Sequence, residues 1–208
     1  MMITEEREKK FKDAISHRQN DLTVVFENVH DPHNIGAVLR TCDSVGVGEV
    51  YIKAPEKFSS LKAYMQNSST SKGASKWIKI NFFTDIHKCL RTVKKNGYLL
   101  YGTHLNEESK SLYSLDLNKK VALIFGNEHD GLTEEALQYV DQNYLVPQVG
   151  LVQSLNISVA CAVSLYEAYR QRSLEGKYDQ PFSNENTEHK TLYNRYVSIH
   201  RKITLNNM

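Results

Sequence analysis

Cysteine is scarce in this sequence: Cys42, Cys89 and Cys161 are the three among 208 residues, far apart and without a CxxC pair. That argues against a disulfide scaffold and a cysteine zinc site, and makes buried thiols the expectation. Long apolar runs are missing too. Nothing approaches the roughly 18 consecutive apolar residues that a membrane-spanning helix needs, so no membrane association is expected. The opening MMITEEREKKFKDA is charged where a secretory signal would be apolar, and a cytoplasmic location is the expectation. A charge excess of one sign is also lacking. The 26 Lys and Arg against 24 Asp and Glu give +2, too little to diagnose a nucleic-acid binder, so the placement of charge matters more than its sum. Neither a GxGxxG nor a P-loop occurs, which disfavours a phosphate cradle for a nucleotide cofactor. Repeats and low-complexity tracts are absent as well.

What remains is a balanced chain, 40% hydrophobic and 24% charged, of a length that suits one globular domain with a sizeable core. Strand-like apolar segments recur at 22–27, 49–53, 76–83, 97–103, 121–126 and 143–147, several of them continuously apolar, as strands covered on both faces are. Helix-like stretches fall between them near 33–45, 84–95, 133–141 and 154–172. The alternation predicts an α/β fold: a mainly parallel sheet flanked by helices. Ligands of such sheets bind beyond the carboxyl ends of the strands, which directs attention to the segments after Glu27, Gly102, Phe125 and Val146. Residues 4–18 carry a thin apolar stripe of Phe11, Ala14 and Ile15, and Leu192, Tyr196, Ile199 and Ile203 form another near the carboxyl end. The expected organisation is a helical arm at 1–20, a core at 21–172 and a second helical arm at 173–208. Between residues 53 and 79, six lysines (53, 57, 62, 72, 76 and 79) face one acid, Glu56, for a net of +5. Such a cluster reads either as a solvated loop or as a contact for a phosphate backbone.

Three segments carry the polar chemistry. In FENVHDPHNIGAVLRTCDSVGV (26–47), Asp31 and Pro32 read as helix N-cap and first turn, and Ile35, Val38, Leu39, Cys42 and Val45 as the buried stripe. Arg40 is off that stripe. It stands one turn from Gly36 and Ala37, beside nearly bare backbone with room for a ligand, and it is also spaced to pair with Asp43 at i,i+3. Asn34 falls in the first turn, where helix entry alone would explain it. His30 and His33 form an HxxH with no third ligand nearby, so no metal is expected. In FGNEHDGLTEEAL (125–137), Gly126 and Gly131 permit close backbone approach, and Glu128 between them could order the loop or accept a hydrogen bond from a ligand. In YLVPQVGLVQSLNISVACAVSLYEAYRQR (144–172), Ser154 is the expected N-cap of a helix so apolar and small on every side that it should be buried all round. Asn156 beside it could be a further cap. Small residues there suit tight internal packing and a subunit interface equally.

Taken in order, ENVHDPHNIGAVLRTCDSVGV, FGNEHDGLT and VPQVGLVQSLNISVACAVSLYEA resemble the three motifs of the SPOUT superfamily of RNA 2′-O-methyltransferases, in its SpoU/TrmH branch. The similarity extends to the NDLTVVFENV lead-in, to ASKWIKI and to LYEAYRQRSLEGKYD, and so over about the whole chain. The resemblance implies methylation of a tRNA ribose, guanosine 18 in the D-loop, with S-adenosylmethionine as donor and no metal. It also implies a homodimer and a deep trefoil knot in the carboxyl-terminal half, a rare departure from unknotted topology. Carried onto matching positions, it implies catalytic or positioning roles for Arg40, Asn34, Glu128, Ser154 and Asn156, and cofactor contacts at Thr103, Gly126, Val146 and Leu155. Lys72 and Lys76 become the expected RNA contacts. Arginine is a poor base, so Arg40 is expected to grip the target phosphate and 2′-oxygen rather than to take the proton. The alternatives are another tRNA ribose or ribosomal RNA as target, or a non-catalytic RNA-binding protein. The terminal arms, and the lack of a preceding RNA-binding domain, favour the D-loop.

Overall fold

The computed structural model describes residues 3–29, 31–54, 73–152 and 154–206. Along the chain these form α1 (Glu5–Ser16), β1 (Leu22–Glu27), α2 (Pro32–Ser44), β2 (Glu49–Lys53), α3 (Ala74–Trp77), β3 (Lys79–Phe83), α4 (Ile86–Lys95) and β4 (Leu99–Thr103). A two-residue β5 (Lys110–Ser111) runs into a three-ten turn (Leu112–Ser114), followed by β6 (Val121–Phe125), α5 (Glu134–Leu137), β7 (Gln142–Leu145), α6 (Ile157–Leu174) and α7 (Thr187–Asn206). The strands make one sheet in the order β3-β2-β1-β6-β4-β7-β5, with every neighbouring pair parallel. The chain lays β1, β2 and β3 outward, crosses back past β1, and later inserts β6 between β1 and β4 and β7 between β4 and β5. Because all strands point the same way, the loops leaving β1, β4, β6 and β7 meet at one edge.

The runs at 22–26 and 121–125, apolar but for Thr23, whose hydroxyl donates to the Glu49 carbonyl at 2.7 Å, become the central strands β1 and β6, buried along their whole length. Alternate residues serve two layers. Leu22, Val24 and Phe26 join Ile35, Val38 and Leu39 of α2 and Cys161, Leu165 and Ala168 of α6, whereas Val25 and Ile124 join Ile86, Leu90 and Val93 of α4. A third cluster lies outside both layers, where Phe11 and Ile15 of α1 pack with Tyr196 of α7 and with Trp77. The arms therefore meet through part of each stripe: Phe11, Ile15 and Tyr196 are buried with Leu192 against them, whereas Ala14 is exposed and Ile199 and Ile203 lie outside the cluster. All three cysteines are buried, and burial raises each thiol, Cys89 to about 12, so none is a nucleophile.

The end of the core opposite the strands' carboxyl termini is fastened by Arg172. Its guanidinium is fully buried and donates to Asp21, to the Gln19 side chain (3.0 Å) and to the carbonyls of Leu117 (2.9 Å) and Lys119 (2.7 Å). Lys177 reaches the other Asp21 oxygen at 2.6 Å. Burial raises the Asp21 carboxyl, but the bonds from Lys177 and Arg172 outweigh it and hold the group below the ordinary carboxylate value.

Several expectations need correction. The strand expected from residue 76 begins at Lys79, because Ala74–Trp77 make a single helical turn. The helix expected over 133–141 stops at Leu137, since the chain must turn into β7 five residues later. The last core helix starts at Ile157 rather than at Ser154, and its N-cap is Asn156, whose side-chain oxygen accepts from the Ser158 N–H at 2.8 Å. Nor is that helix buried all round: Val159, Tyr166 and Tyr169 stand out of it, with Tyr166 52% exposed. Periodicity could not show this, because the outward face is as apolar as the inward one. The Lys110–Ser111 strand is too short to show a pattern, and the turn after it, which buries Leu112, lies outside the expected elements.

Candidate active site

Asp31 caps α2 through the His33 N–H (2.8 Å), and Pro32 fills the first position, where a missing N–H costs nothing. This fixes a helix whose buried side holds Ile35, Val38, Leu39 and Cys42 and whose outer side presents Arg40 to solvent. The pairing that spacing allows between Arg40 and Asp43 does not form. Arg18 takes the Asp43 carboxylate at 2.5 Å while its Nε donates to the Tyr196 hydroxyl at 2.8 Å. Among the described residues Arg40 has no hydrogen-bond or ion-pair partner.

The second segment folds back on itself directly after β6. Asn127 and Gly131 exchange two main-chain hydrogen bonds, each 3.1 Å, and the Asn127 side chain accepts the N–H groups of His129 and Asp130 at 2.8 Å. The closure needs glycine at 126: a Cβ there would lie 2.0 Å from the Gly131 carbonyl. Glu128 is thereby thrust to the exposed tip, where it accepts from the Asn34 side-chain amide at 2.7 Å. From the other direction, the side-chain amide of Asn156 donates to the Asn34 side-chain oxygen at 3.2 Å. Asn34 thus joins one residue from each of the other two segments, far beyond helix entry.

Beside this junction lies a cleft of about 870 Å³. All four expected cofactor positions, Thr103, Gly126, Val146 and Leu155, line it, as do Glu128 and Ser154. Ser154 is exposed and caps nothing. The floor is apolar, made of Phe125, Tyr144, Ile157 and Ala160, and the rim is polar, with His104, Asn127 and Asp130. That volume and distribution suit one ligand of a few hundred daltons bearing both apolar and charged parts. S-adenosylmethionine is such a ligand, and the carboxylates of Glu128 and Asp130 would face a cation. Asn34 reaches the cleft through its bond to Glu128 and Asn156 through its bond to Asn34, while Arg40 lies six residues, about 9 Å of helical rise, beyond Asn34.

Lys72, with Lys57, Lys62 and His30, lies outside the described residues. Lys76 is exposed in the single turn of α3. Two members of the lysine cluster are engaged by the protein, Lys53 with the Asn28 side chain at 2.6 Å and Lys79 with Glu49 at 2.8 Å. Among the described residues no helix is long and apolar enough to cross a membrane, and no group of three or more His, Cys, Asp or Glu is arranged to hold a metal.

Sequence reasoning missed Glu27. It is 1% exposed at the end of β1 and accepts both the Thr133 N–H (3.0 Å) and the Thr133 hydroxyl (2.6 Å). The signal was available: an acid closing an otherwise apolar strand must find donors inside the protein. Asn28, the next residue, takes a positive φ of 54° and starts the turn into α2.

Residues 21–166 match the SpoU rRNA Methylase family. A tRNA (guanosine(18)-2′-O)-methyltransferase of Thermus thermophilus is 42% identical over 86% of this chain and 89% of its own length. The crystal structure of the A. aeolicus TrmH/SpoU tRNA modifying enzyme superposes with a TM-score of 0.79 at 32% identity, covering 93% of this chain and 96% of that one. An AdoMet-bound rRNA methyltransferase from Sinorhizobium meliloti superposes with a TM-score of 0.62 at 27% identity, over 74% of this chain and 57% of the other.

Proposed function

The chain belongs to the SpoU rRNA methylase family, and from that premise we propose that it methylates the ribose 2′-hydroxyl of guanosine 18 in the D-loop of tRNA. The observation that carries the reading is the Asn34 junction: its bonds to Glu128 and Asn156 bring all three motifs to the rim of one cleft, with Arg40, unpaired among the described residues, on the same helix. The relatives named as tRNA enzymes cover 80–92% of this chain, whereas those named as 23S rRNA enzymes cover 73% of it and 59% of their own length, which supports tRNA over ribosomal RNA.

S-adenosylmethionine is the proposed donor; when bound in the cleft it supplies an electrophilic methyl group on a sulfonium. The residues of this chain do the rest. The apolar floor excludes water, and Thr103, Gly126, Val146 and Leu155 shape the cavity, largely through main chain. Arg40 presents a planar fork to the phosphate and 2′-oxygen of the target and holds the oxygen in line, with proton removal left to that phosphate or to water. Asn34 keeps Glu128 and Asn156 at fixed distances, and Ser154 sits where the donor and the ribose meet. Lys72 and Lys76 contact the phosphate backbone, as an exposed Lys76 allows.

A homodimer belongs to the same proposal, supported by the apolar residues that α6 leaves in solvent. So do the trefoil knot, supported by the late insertion of β6 and β7 between strands already laid down, and a cytoplasmic location. The test is transfer of labelled methyl from S-adenosylmethionine to total tRNA, followed by mapping of the modified nucleotide. Label on the ribose of guanosine 18 is the expected result. Label elsewhere moves the target, and none on tRNA or ribosomal RNA overturns the enzyme reading.

A further inference from the structure

We infer that Glu27, with Thr133, is a positioning pair that presets the cleft for its cofactor and holds Glu128 within reach of Asn34. The inference rests on the proposed methyltransferase reading and adds a residue from outside the three segment tips. The loop from Gly126 to Thr133 supplies the cleft with five consecutive residues, 127–131, and with Gly126 itself. It is fastened at its start by the ladder pairing Phe125 with Phe26 of β1, and in the middle by the two bonds between Asn127 and Gly131. At its end the tie to β1 is Glu27. One carboxylate oxygen receives the Thr133 N–H and the other the Thr133 hydroxyl, and that hydroxyl oxygen in turn accepts the Ala136 N–H to start α5.

The carboxylate forms no ion pair among the described residues, although its residue is 1% exposed. A buried carboxylate held only by two uncharged donors is an expensive way to stabilise a core, since an apolar side chain of the same volume would avoid its desolvation. Its gain is geometric. Two bonds to one residue fix the distance and the rotation of the loop against β1, the strand that leads through Asn28 into α2. The span from Glu27 to Asn34 on one side and from Thr133 back to Glu128 on the other is closed by the 2.7 Å bond between Asn34 and Glu128. Glu27 therefore sets the register in which that last bond can form, while touching neither the cleft nor the target.

The experiment compares Glu27→Met, Glu27→Gln, Thr133→Val and Thr133→Ser by calorimetric titration with S-adenosylmethionine, by melting temperature and by the side-chain amide NMR signal of Asn34. Glu27→Met removes both acceptors and fills the volume. We expect it to keep the wild-type melting temperature within a few degrees, to weaken cofactor binding about tenfold and to shift the Asn34 amide. Glu27→Gln can serve both Thr133 groups, accepting the N–H and donating to the hydroxyl oxygen, and should bind nearly as wild type. Thr133→Val should follow Glu27→Met, and Thr133→Ser should follow wild type. Wild-type affinity with an unmoved Asn34 signal in both Glu27→Met and Thr133→Val overturns the inference. So does a loss in all four variants that tracks melting temperature, because that is the signature of plain stability. If wild type itself binds no S-adenosylmethionine, the methyltransferase reading fails instead, and the Asn34 signal still decides the positioning role.

Discussion

Two arginines of this molecule have surroundings that could hardly differ more. Arg172 is fully buried and spends its donors on Asp21, Gln19 and the carbonyls that lead into β6. Arg40 is exposed, and among the described residues nothing bonds to it, although an acid stands three residues away on its own helix. The end of the core away from the strands' carboxyl termini closes its polar network and is finished as a structure. The edge where β1 and β6 end leaves a glycine-built loop and a large cleft for something else to complete, and α2 leaves a guanidinium about 9 Å of helical rise beyond Asn34. A planar fork without a partner is stored binding capacity, whereas the same fork saturated by main chain is a bolt.

Breaking the closed region should have the largest effect. Arg172→Ala strips Asp21 of one cation and orphans buried carbonyls, which should cost about 3–5 kcal/mol, a large part of a domain's stability. Chemical denaturation measures it. Asp21 is held below its ordinary value, so its contribution is fully present above the unfolded carboxyl range and is lost as the pH falls through that range toward the depressed native value. The gap between wild type and variant should therefore narrow on acidification; a gap independent of pH would remove Asp21 from the account. Gly126→Ala comes next. Its methyl would meet the Gly131 carbonyl at 2.0 Å, so the loop must open. S-adenosylmethionine binding should fall by at least about tenfold, while much of the sheet survives by circular dichroism.

The smallest effect should come from the device that keeps Arg40 free. Arg18 and Tyr196 draw Asp43 away from it, and without Arg18 the acid can pair with Arg40 one turn back. Exposed helix pairs are worth about 0.3–1 kcal/mol, so Arg18→Ala should slow methyl transfer roughly two- to fivefold at saturating RNA, and adding Asp43→Asn should restore it. A loss that Asp43→Asn leaves untouched would assign Arg18 a direct RNA contact instead.

The contrast between the two regions also decides what could be read from sequence. Strands such as LTVVFE and VALIF, buried on both faces, announce themselves as predominantly apolar runs, and they proved to be the sheet's centre. The helix after Asn156 defeated the same reasoning, because Val159 and Tyr166 are apolar and yet outward. Ser154 and Asn156 are both good caps, and only the backbone path distinguishes them. Residues at the strand ends were legible because chemistry-bearing side chains cluster there, but their bonds were not. Asn34 read locally as a helix-entry residue, with a positioning role implied only by the resemblance, and its bond to Glu128, 94 positions away, at 2.7 Å was not legible. Glu27 was overlooked because it belongs to the strand pattern and to the loop chemistry at once. Arg172 and Asp21, 151 positions apart, gave no local sign of each other.

The central claim is that the free fork of Arg40 performs function and contributes little to folding. Arg40→Lys tests it most directly, with melting temperature and the single-turnover rate of methyl transfer to tRNA measured on the same preparation. An unchanged melting temperature with a rate reduced about 100-fold is the expected result, since a point charge cannot reproduce two parallel donors. A rate near wild type, or a loss that follows a fallen melting temperature, would contradict it.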